Sequence, residues 1–390
     1  MLFRNTTRTD MTPRRESELL FAFYDRSARP EFVAYRACLE RWLAELPVAN
    51  AAKLVSQMQK GDDLGFESGV VELVMYASFI RLGYLVSTHL ELSGNNNRPD
   101  FLLKNASGKP LALVEITTIN PTSDDVADEN REAQIYDCLN RVRLPEDMRL
   151  DYQVEKRGTD SPSLRPLAAD VETWSRNEAG TARSGGIVER LFSAGGWTIK
   201  LRLIAGFGPR LGGRQIAFST RRRYNMKTTE PAKPLMKALD LKATRYGDLA
   251  LPFVLVVADR TRQLAYLSKH FVENVMEGLF GPITTQYVSF RDGSQTMREC
   301  RLNGFWMRNG RPDHTGVSAV LVFPRAEIWN LQTEQWQPLL VRNPFAIRPL
   351  TQDTRLPWNE LVVREGESIV QPGRLAGDIL ELQDPWPPEH

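Results

Sequence analysis

Three acidic residues in the first third of the chain, Glu72, Asp100 and Glu115, could together bind a metal ion. Asp100 stands in the strand-like segment 98–104, and Glu115 interrupts the apolar segment 111–119. The Ser-Gly turn signal between these segments predicts a β-hairpin, which would bring Asp100 close to Glu115. Convergent carboxylates suit Mg²⁺, and a bound Mg²⁺ polarises a phosphodiester and activates the attacking water. The three carboxylates therefore indicate a metal-dependent hydrolytic site.

The elements around these carboxylates follow a definite order. The predicted elements are a helix over 67–82, strands over 84–92, 98–104 and 111–119, a helix over 123–142 and a strand over 149–155. Glu72 lies on the first helix, which Asp62 or Asp63 would cap at the N-terminus and Gly83 would end as a C-terminal glycine. Because side chains alternate along a strand, Leu113, Glu115 and Thr117 share one face of the third strand.

Pro99-Asp100, followed after fourteen residues by Glu115-Ile116-Thr117, resembles the signature of the PD-(D/E)xK nuclease superfamily. The resemblance covers roughly residues 66–156 and implies an α/β (α+β) fold with a restriction-endonuclease-like αβββαβ core. It also implies metal-dependent cleavage of nucleic acids, with Mg²⁺ or Mn²⁺ held by Asp100 and Glu115. Glu72 and Thr117 complete the implied catalytic set, and the family context suggests bacterial defence against foreign DNA and a homodimer.

One residue departs from the family signature. The motif lysine belongs at position 117, where this chain has Thr117. That lysine stabilises negative charge on the phosphate, which a hydroxyl cannot do by charge. Arg131 and Gln134, on the next predicted helix, are candidates to replace it, and Lys242 is a more remote candidate. The alternative function is therefore a catalytically inactive module that binds nucleic acid or a partner protein.

Each carboxylate also has a purely structural interpretation. Glu115 could pair with Arg98 at a strand edge, Asp100 could cap a turn, and Glu72 could be an exposed helix residue. A second Pro-Asp pair at Asp313 is not followed by the acid-x-Lys pattern, so we interpret it as a turn. The order of the elements around the first pair favours the functional interpretation.

Charge is concentrated in one basic stretch. Residues 200–245 hold twelve Lys or Arg residues and two acidic residues. Such a stretch predicts contact with a polyanion, here DNA in preference to RNA, or simply a solvated face. Cations and an aromatic ring suited to phosphate contact and base stacking lie within it: Arg221, Arg222, Arg223, Tyr224 and Lys227.

The composition is that of a globular protein, with 42% apolar and 25% charged residues in 390 positions. No segment is long and apolar enough to span a membrane, and the three cysteines are far apart. We therefore expect a cytoplasmic protein without a membrane partner. The predicted division is a helical N-terminal cap (1–60), the nuclease-like core (61–160) and a C-terminal α/β extension (161–390).

Overall fold

The structure is a computed structural model that describes residues 1–88, 97–206, 218–222, 230–261, 264, 270–289, 295–324, 327–364 and 367–388. The helices are α1 (Leu20–Arg26), α2 (Pro30–Ala44), α3 (Val48–Met58), α4 (Asp63–Arg81), α5 (Ser123–Leu139), α6 (Leu164–Arg183), α7 (Ala232–Ala243), α8 (Phe271–Phe280) and α9 (Ala376–Ile379).

The strands are β1 (Leu85–Thr88), β2 (Phe101–Lys104), β3 (Pro110–Ile119), β4 (Arg149–Lys156), β5 (Val188–Ala194), β6 (Trp197–Ile204), β7 (Phe218–Arg222), β8 (Phe253–Asp259), β9 (Ile283–Ser289), β10 (Gln295–Arg301), β11 (Met307–Arg308), β12 (Arg311–Pro312), β13 (Ala319–Phe323), β14 (Leu339–Arg342), β15 (Asn359–Arg364) and β16 (Glu367–Gln371). None of the described helices combines the length and the apolar character that a membrane crossing needs.

The chain forms two compact units. The first unit contains residues 1–11, 19–120 and 230–390, and the second contains 12–18 and 121–229. This division differs from the predicted one, because the second unit lies within the sequence of the first. The predicted C-terminal extension, 161–390, contributes to both units.

The first unit is built on a mixed eight-stranded sheet with the order β1-β2-β3-β8-β13-β14-β15-β16. Strands β1, β2 and β3 are antiparallel neighbours, and β3 is parallel to β8, which is parallel to β13. Together with the helices, this sheet confirms the predicted α/β class. The strands from β14 onwards were not predicted, because the sequence after Trp329 shows no clear period.

Both faces of this sheet are covered by apolar residues. Side chains of β8 alternate between two clusters: Val254 and Val256 share one with α4, and Leu255 and Val257 share the other with α7 and α8. All seven residues of β8 are buried. A strand that is buried on both faces needs consecutive apolar residues, which explains why β8 lacks the alternation of apolar and polar residues.

Helix α4 begins at Asp63, directly after the predicted cap and four residues before the predicted start at 67, and it ends at Arg81. The Asp62 side chain accepts a hydrogen bond from the backbone of Gly65, so that Asp62 acts as the N-cap. At the other end, Gly83 has a φ of 85°, a left-handed conformation that favours glycine. The backbone N–H of Tyr84 then donates to the carbonyl of Phe79 at 3.1 Å, which closes the helix.

The second unit has its own sheet and core. Its four strands have the order β5-β6-β4-β7, and buried side chains of β4, β5 and β6 pack with those of α5 and α6. The core includes Leu150 from β4, Trp174 from α6 and Trp197 from β6. Strand β4 shows alternating burial over its first half, as expected of a sheet with one solvated face.

The predicted continuation of the core after β3 is therefore corrected. The helix predicted over 123–142 and the strand predicted over 149–155 form α5 and β4, which belong to the second unit. The strand beside β3 is β8, and the helix that precedes it is α7. The prediction assumed that consecutive elements belong to one core. The 109 residues at 121–229, which come between β3 and α7 in the sequence, instead form a separate compact unit.

Candidate active site

Asp100 and Glu115 face each other at the open end of the β2–β3 hairpin. Phe101 pairs with Val114 in the antiparallel register, so one step further along Asp100 lies opposite Glu115. The Oδ2 atom of Asp100 accepts a hydrogen bond from the backbone N–H of Ile116 at 2.8 Å. This bond holds the Asp100 carboxyl against β3, beside Glu115.

Glu115 is buried and is held by side chains from the end of α7 and the turn after it. Only 1% of Glu115 is exposed. Its Oε1 atom accepts a hydrogen bond from Lys242 Nζ and lies 3.5 Å from Arg245 Nη1. Its Oε2 atom accepts a hydrogen bond from the Tyr246 hydroxyl at 2.5 Å. A buried carboxylate needs such partners, because burial without them would disfavour its charge.

The apolar stripe of α7 explains why Lys242 reaches this position. Leu235 and Leu239 are fully buried in the same cluster as Leu113, which lies two residues before Glu115 on β3. Lys242 follows Leu239 by three residues on the helix, and Tyr246, in the turn after α7, is buried in the same cluster as the two leucines. The packing that buries the leucines therefore directs Lys242 and Tyr246 towards Glu115.

A second set of contacts joins the end of α7 to the residues before β2. Arg245 Nε donates to Asn97 Oδ1 at 3.1 Å, and Asn97 Nδ2 donates to the Arg245 carbonyl at 3.2 Å. The Tyr246 hydroxyl also lies 3.3 Å from the Arg98 carbonyl. The purely structural interpretation paired Glu115 with Arg98, whereas the structure shows Lys242 and Arg245 at this carboxylate.

Burial, together with neighbouring negative charge, raises the pKa of two carboxyls at the site. Burial, the Glu115 charge and the Glu72 charge raise the pKa of Asp100 to about 7, against the hydrogen bond from Ile116 and the charge of Lys242. Burial also raises the pKa of Glu72, with Lys53 acting against it and Glu115 adding to it. Glu72 is thus within electrostatic reach of Glu115.

Tyr246 keeps its proton at this site. Burial and the hydrogen bond to Glu115 raise the pKa of Tyr246 well above its usual range, and the charges of Glu115 and Asp100 add to the shift. The phenol is therefore a hydrogen-bond donor to Glu115 at all ordinary pH values. No sequence motif suggested Tyr246, because it lies beyond the end of α7 and contacts a residue 131 positions away in the chain.

The structure places the other predicted residues as follows. Thr117 lies two residues after Glu115 on β3 and is half-buried. Arg131 and Gln134 lie on α5, in the second unit, and Arg131 forms an ion pair with Asp128 at 2.6 Å. Lys242, which the sequence ranked as the more remote candidate, is the lysine that contacts Glu115.

The predicted nucleic-acid contacts are only partly within the described residues. Arg221 and Arg222 lie on β7, at the edge of the four-stranded sheet. Arg223, Tyr224 and Lys227 lie outside the described residues. The prediction that this stretch contacts nucleic acid therefore stays a prediction.

Two carboxylates are available to a metal ion. Within the described parts of the chain, no group of three or more His, Cys, Asp and Glu side chains is arranged to hold a metal ion. Asp100 and Glu115 would thus supply two ligands, and water or backbone carbonyls would supply the rest, as Mg²⁺ commonly accepts. The raised pKa of Asp100 fits this set, because a divalent cation would relieve the excess negative charge that contributes to it.

Comparison with known proteins adds no assignment. No protein-family model matches the chain, and no curated protein or solved structure matches it significantly. The second Pro-Asp pair was predicted to be a turn, whereas Pro312 belongs to the short strand β12 and Asp313, directly after it, pairs with Arg308 at 2.8 Å.

Proposed function

We propose that the first unit is a metal-dependent nuclease that cleaves phosphodiester bonds. Its core would be restriction-endonuclease-like, formed by α4, β1, β2, β3, α7 and β8. Three antiparallel strands after a helix, then a helix and a parallel strand, support this assignment. The intervening second unit would be an insertion between β3 and α7.

The observation that carries the proposal is the contact between Lys242 and Glu115. The superfamily signature requires a carboxylate pair with a lysine beside it, and position 117 lacks the lysine. Lys242 supplies a primary amine at the second carboxylate from another element. This contact supports the interpretation that Lys242 takes the place of the lysine absent from position 117. On that interpretation the site is active.

Each residue then has a role. Asp100 and Glu115 would hold Mg²⁺ or Mn²⁺, and the ion would supply polarisation of the phosphodiester and acidification of a bound water. Lys242 would stabilise the charge that grows on the phosphate, and Glu72 would add negative charge that favours metal binding. Thr117 would line the site as a hydroxyl beside Glu115.

The substrate and setting follow from the resemblance and the charge pattern. We propose that the substrate is DNA in preference to RNA, and that the basic stretch 200–245 binds its phosphate backbone. Such contacts make the affinity sensitive to salt. Cytoplasmic defence of a bacterium against foreign DNA, by a homodimer, is the setting that the resemblance suggests.

The test is a cleavage assay with purified protein on plasmid, single-stranded DNA and RNA, in Mg²⁺, Mn²⁺ or EDTA. The variants Asp100→Asn and Glu115→Gln should lose activity, because each removes a charged metal ligand. Asp313→Asn is the matched control, since it alters the other Pro-Asp pair. Cleavage that needs metal, persists in the control and disappears in both site variants would establish the nuclease.

A second function has one observation in its favour. The described residues contain no group of three acidic or imidazole ligands, so the fold could serve as an inactive module that binds nucleic acid or a protein. That module would bind DNA equally in EDTA and in Mg²⁺, and Asp100→Asn would not change its affinity. Metal-independent binding without cleavage of any of the three substrates would replace the nuclease with this module.

A further inference from the structure

The two oxygens of the Glu115 carboxylate are held by two different side chains. Lys242 contacts Oε1, and the Tyr246 hydroxyl contacts Oε2 at 2.5 Å. A carboxylate that is held at both oxygens cannot rotate freely about its last side-chain bond. The orientation of Glu115 is therefore set from outside its own strand, by residues near the end of α7.

Tyr246 is the more rigid of these two partners. It is 4% exposed, and its ring packs edge-on against Phe253 of β8 with the ring centres 5.7 Å apart. The Lys242 side chain is 22% exposed, and a flexible chain of methylenes carries its ammonium group. The packed ring fixes the position of the hydroxyl, so Tyr246 can hold Glu115 in one orientation. The ammonium of Lys242 can move.

The same hydroxyl lies near the other half of the site. It is 3.3 Å from the carbonyl of Arg98, which precedes Pro99-Asp100. A phenol has one proton, and the shorter contact identifies Glu115 as its acceptor. Tyr246 thus touches both the strand that carries Glu115 and the segment that carries Asp100.

We propose that Tyr246 is a positioning residue that orients Glu115 for metal binding. This inference rests on the proposed function, because it assumes that Glu115 is a metal ligand. Partners that hydrogen-bond to a metal ligand fix its orientation, and removing them typically weakens metal affinity by about 10- to 100-fold. Tyr246→Phe removes only the hydroxyl and leaves the ring packing against Phe253 intact.

The experiment measures Mn²⁺ binding directly, by electron paramagnetic resonance of free Mn²⁺ in titrations of the full chain. We expect Tyr246→Phe to raise the Mn²⁺ dissociation constant by about tenfold. The matched control is Tyr84→Phe, since Tyr84 is also buried and its hydroxyl donates to the Arg355 carbonyl at 2.8 Å. This control should bind Mn²⁺ as the wild type does.

A second pair of measurements separates positioning from a general structural effect. Saturating Mn²⁺ should return the cleavage rate of Tyr246→Phe to within about twofold of the wild type, because the reacting groups are intact. The increase in melting temperature caused by a fixed Mn²⁺ concentration should be smaller for Tyr246→Phe than for Tyr84→Phe.

The outcomes are distinct. Equal Mn²⁺ affinity in Tyr246→Phe and wild type, or equal weakening in Tyr84→Phe, would overturn the role of Tyr246 and leave the nuclease standing. A wild-type protein that binds no Mn²⁺ and cleaves no substrate would overturn both. A rate defect that saturating Mn²⁺ cannot restore would also reject positioning and assign Tyr246 to the chemistry.

Discussion

Lys242 on α7 donates a hydrogen bond to Glu115 on β3, although the two residues are 127 positions apart in the chain. The second unit, residues 121–229, accounts for most of this separation. The contact joins the element that carries a motif carboxylate to the helix that follows the inserted unit. A lysine that is distant in the chain thus lies beside the buried carboxylate of Glu115, whereas position 117 on the same strand holds a threonine.

Lys242→Met should reduce metal-dependent cleavage by about 100-fold or more, because it removes the cation that stabilises charge on the phosphate. The control is Lys109→Met in the turn between β2 and β3, since Lys109 is exposed and lies outside the basic stretch 200–245. Single-turnover rates at saturating Mg²⁺ measure the effect. Equal rates in both variants and the wild type would remove Lys242 from the mechanism.

Thr117→Lys should partly restore the Lys242→Met variant. Thr117 is half-buried on β3, two residues after Glu115, so a lysine there would extend along the same face of the sheet. We expect about a tenfold recovery of the single-turnover rate in the double variant. Thr117→Lys alone should change the wild-type rate little, because Lys242 already supplies the charge.

If the double variant is no faster than Lys242→Met, position 117 cannot host the lysine in this chain. If Thr117→Lys alone raises the wild-type rate more than about tenfold, Lys242 is not an adequate replacement for the motif lysine.

Asp100→Asn should make the metal-free protein more stable above pH 7. The pKa of Asp100 is about 7 in the folded protein and 3.8 in its reference state, so between these values the folded state binds more protons. Stability from this group therefore falls as the pH rises towards 7, and the ionised carboxyl destabilises the fold at higher pH. Asparagine removes that charge and can still accept from Ile116 through its amide oxygen.

Urea unfolding in EDTA at pH 8 and pH 5 measures this effect. We expect a gain of about 1–2 kcal/mol at pH 8 that becomes smaller at pH 5, as protonation also removes the charge from the wild type. Asp313→Asn should show no gain, because it breaks an ion pair with Arg308. A gain of equal size at both pH values would contradict the electrostatic origin.

Replacing three basic residues in the stretch 200–245 should weaken DNA binding. The variant is Arg221→Ala/Arg222→Ala/Arg223→Ala. The slope of log affinity against log salt concentration should decrease by about 0.9 for each phosphate that the variant no longer neutralises. Fluorescence anisotropy of labelled duplex DNA in EDTA, over a range of salt concentrations, measures both quantities without cleavage.

The control for that variant removes the same charge from α6 of the same unit. Its three substitutions fall on exposed arginines, Arg165, Arg176 and Arg183. Equal weakening by the two triple variants would show that net charge governs binding, and no weakening by the first would place the DNA contact elsewhere.

The sequence by itself determined the local half of the site. Asp100 directly precedes β2, Glu115 lies on β3, and a tight turn joins these two strands, so the turn signal sufficed to predict that the two carboxyls are close. Asp62 and Gly83 likewise marked the ends of α4, since caps act within one turn of a helix. Both relationships join residues that are close together in the chain, so a local sequence pattern is enough to predict them.

The tertiary structure alone decided which strand lies beside β3 and which cation meets Glu115. Sequence order favoured β4 and α5, but β8 is the strand whose apolar residues can be buried on both faces, so it pairs with β3. That pairing packs α7 over β3 through Leu235 and Leu239 and so brings Lys242 to Glu115. Burial in a shared core acts between residues at any separation in the chain, and no local pattern records which distant surfaces will meet.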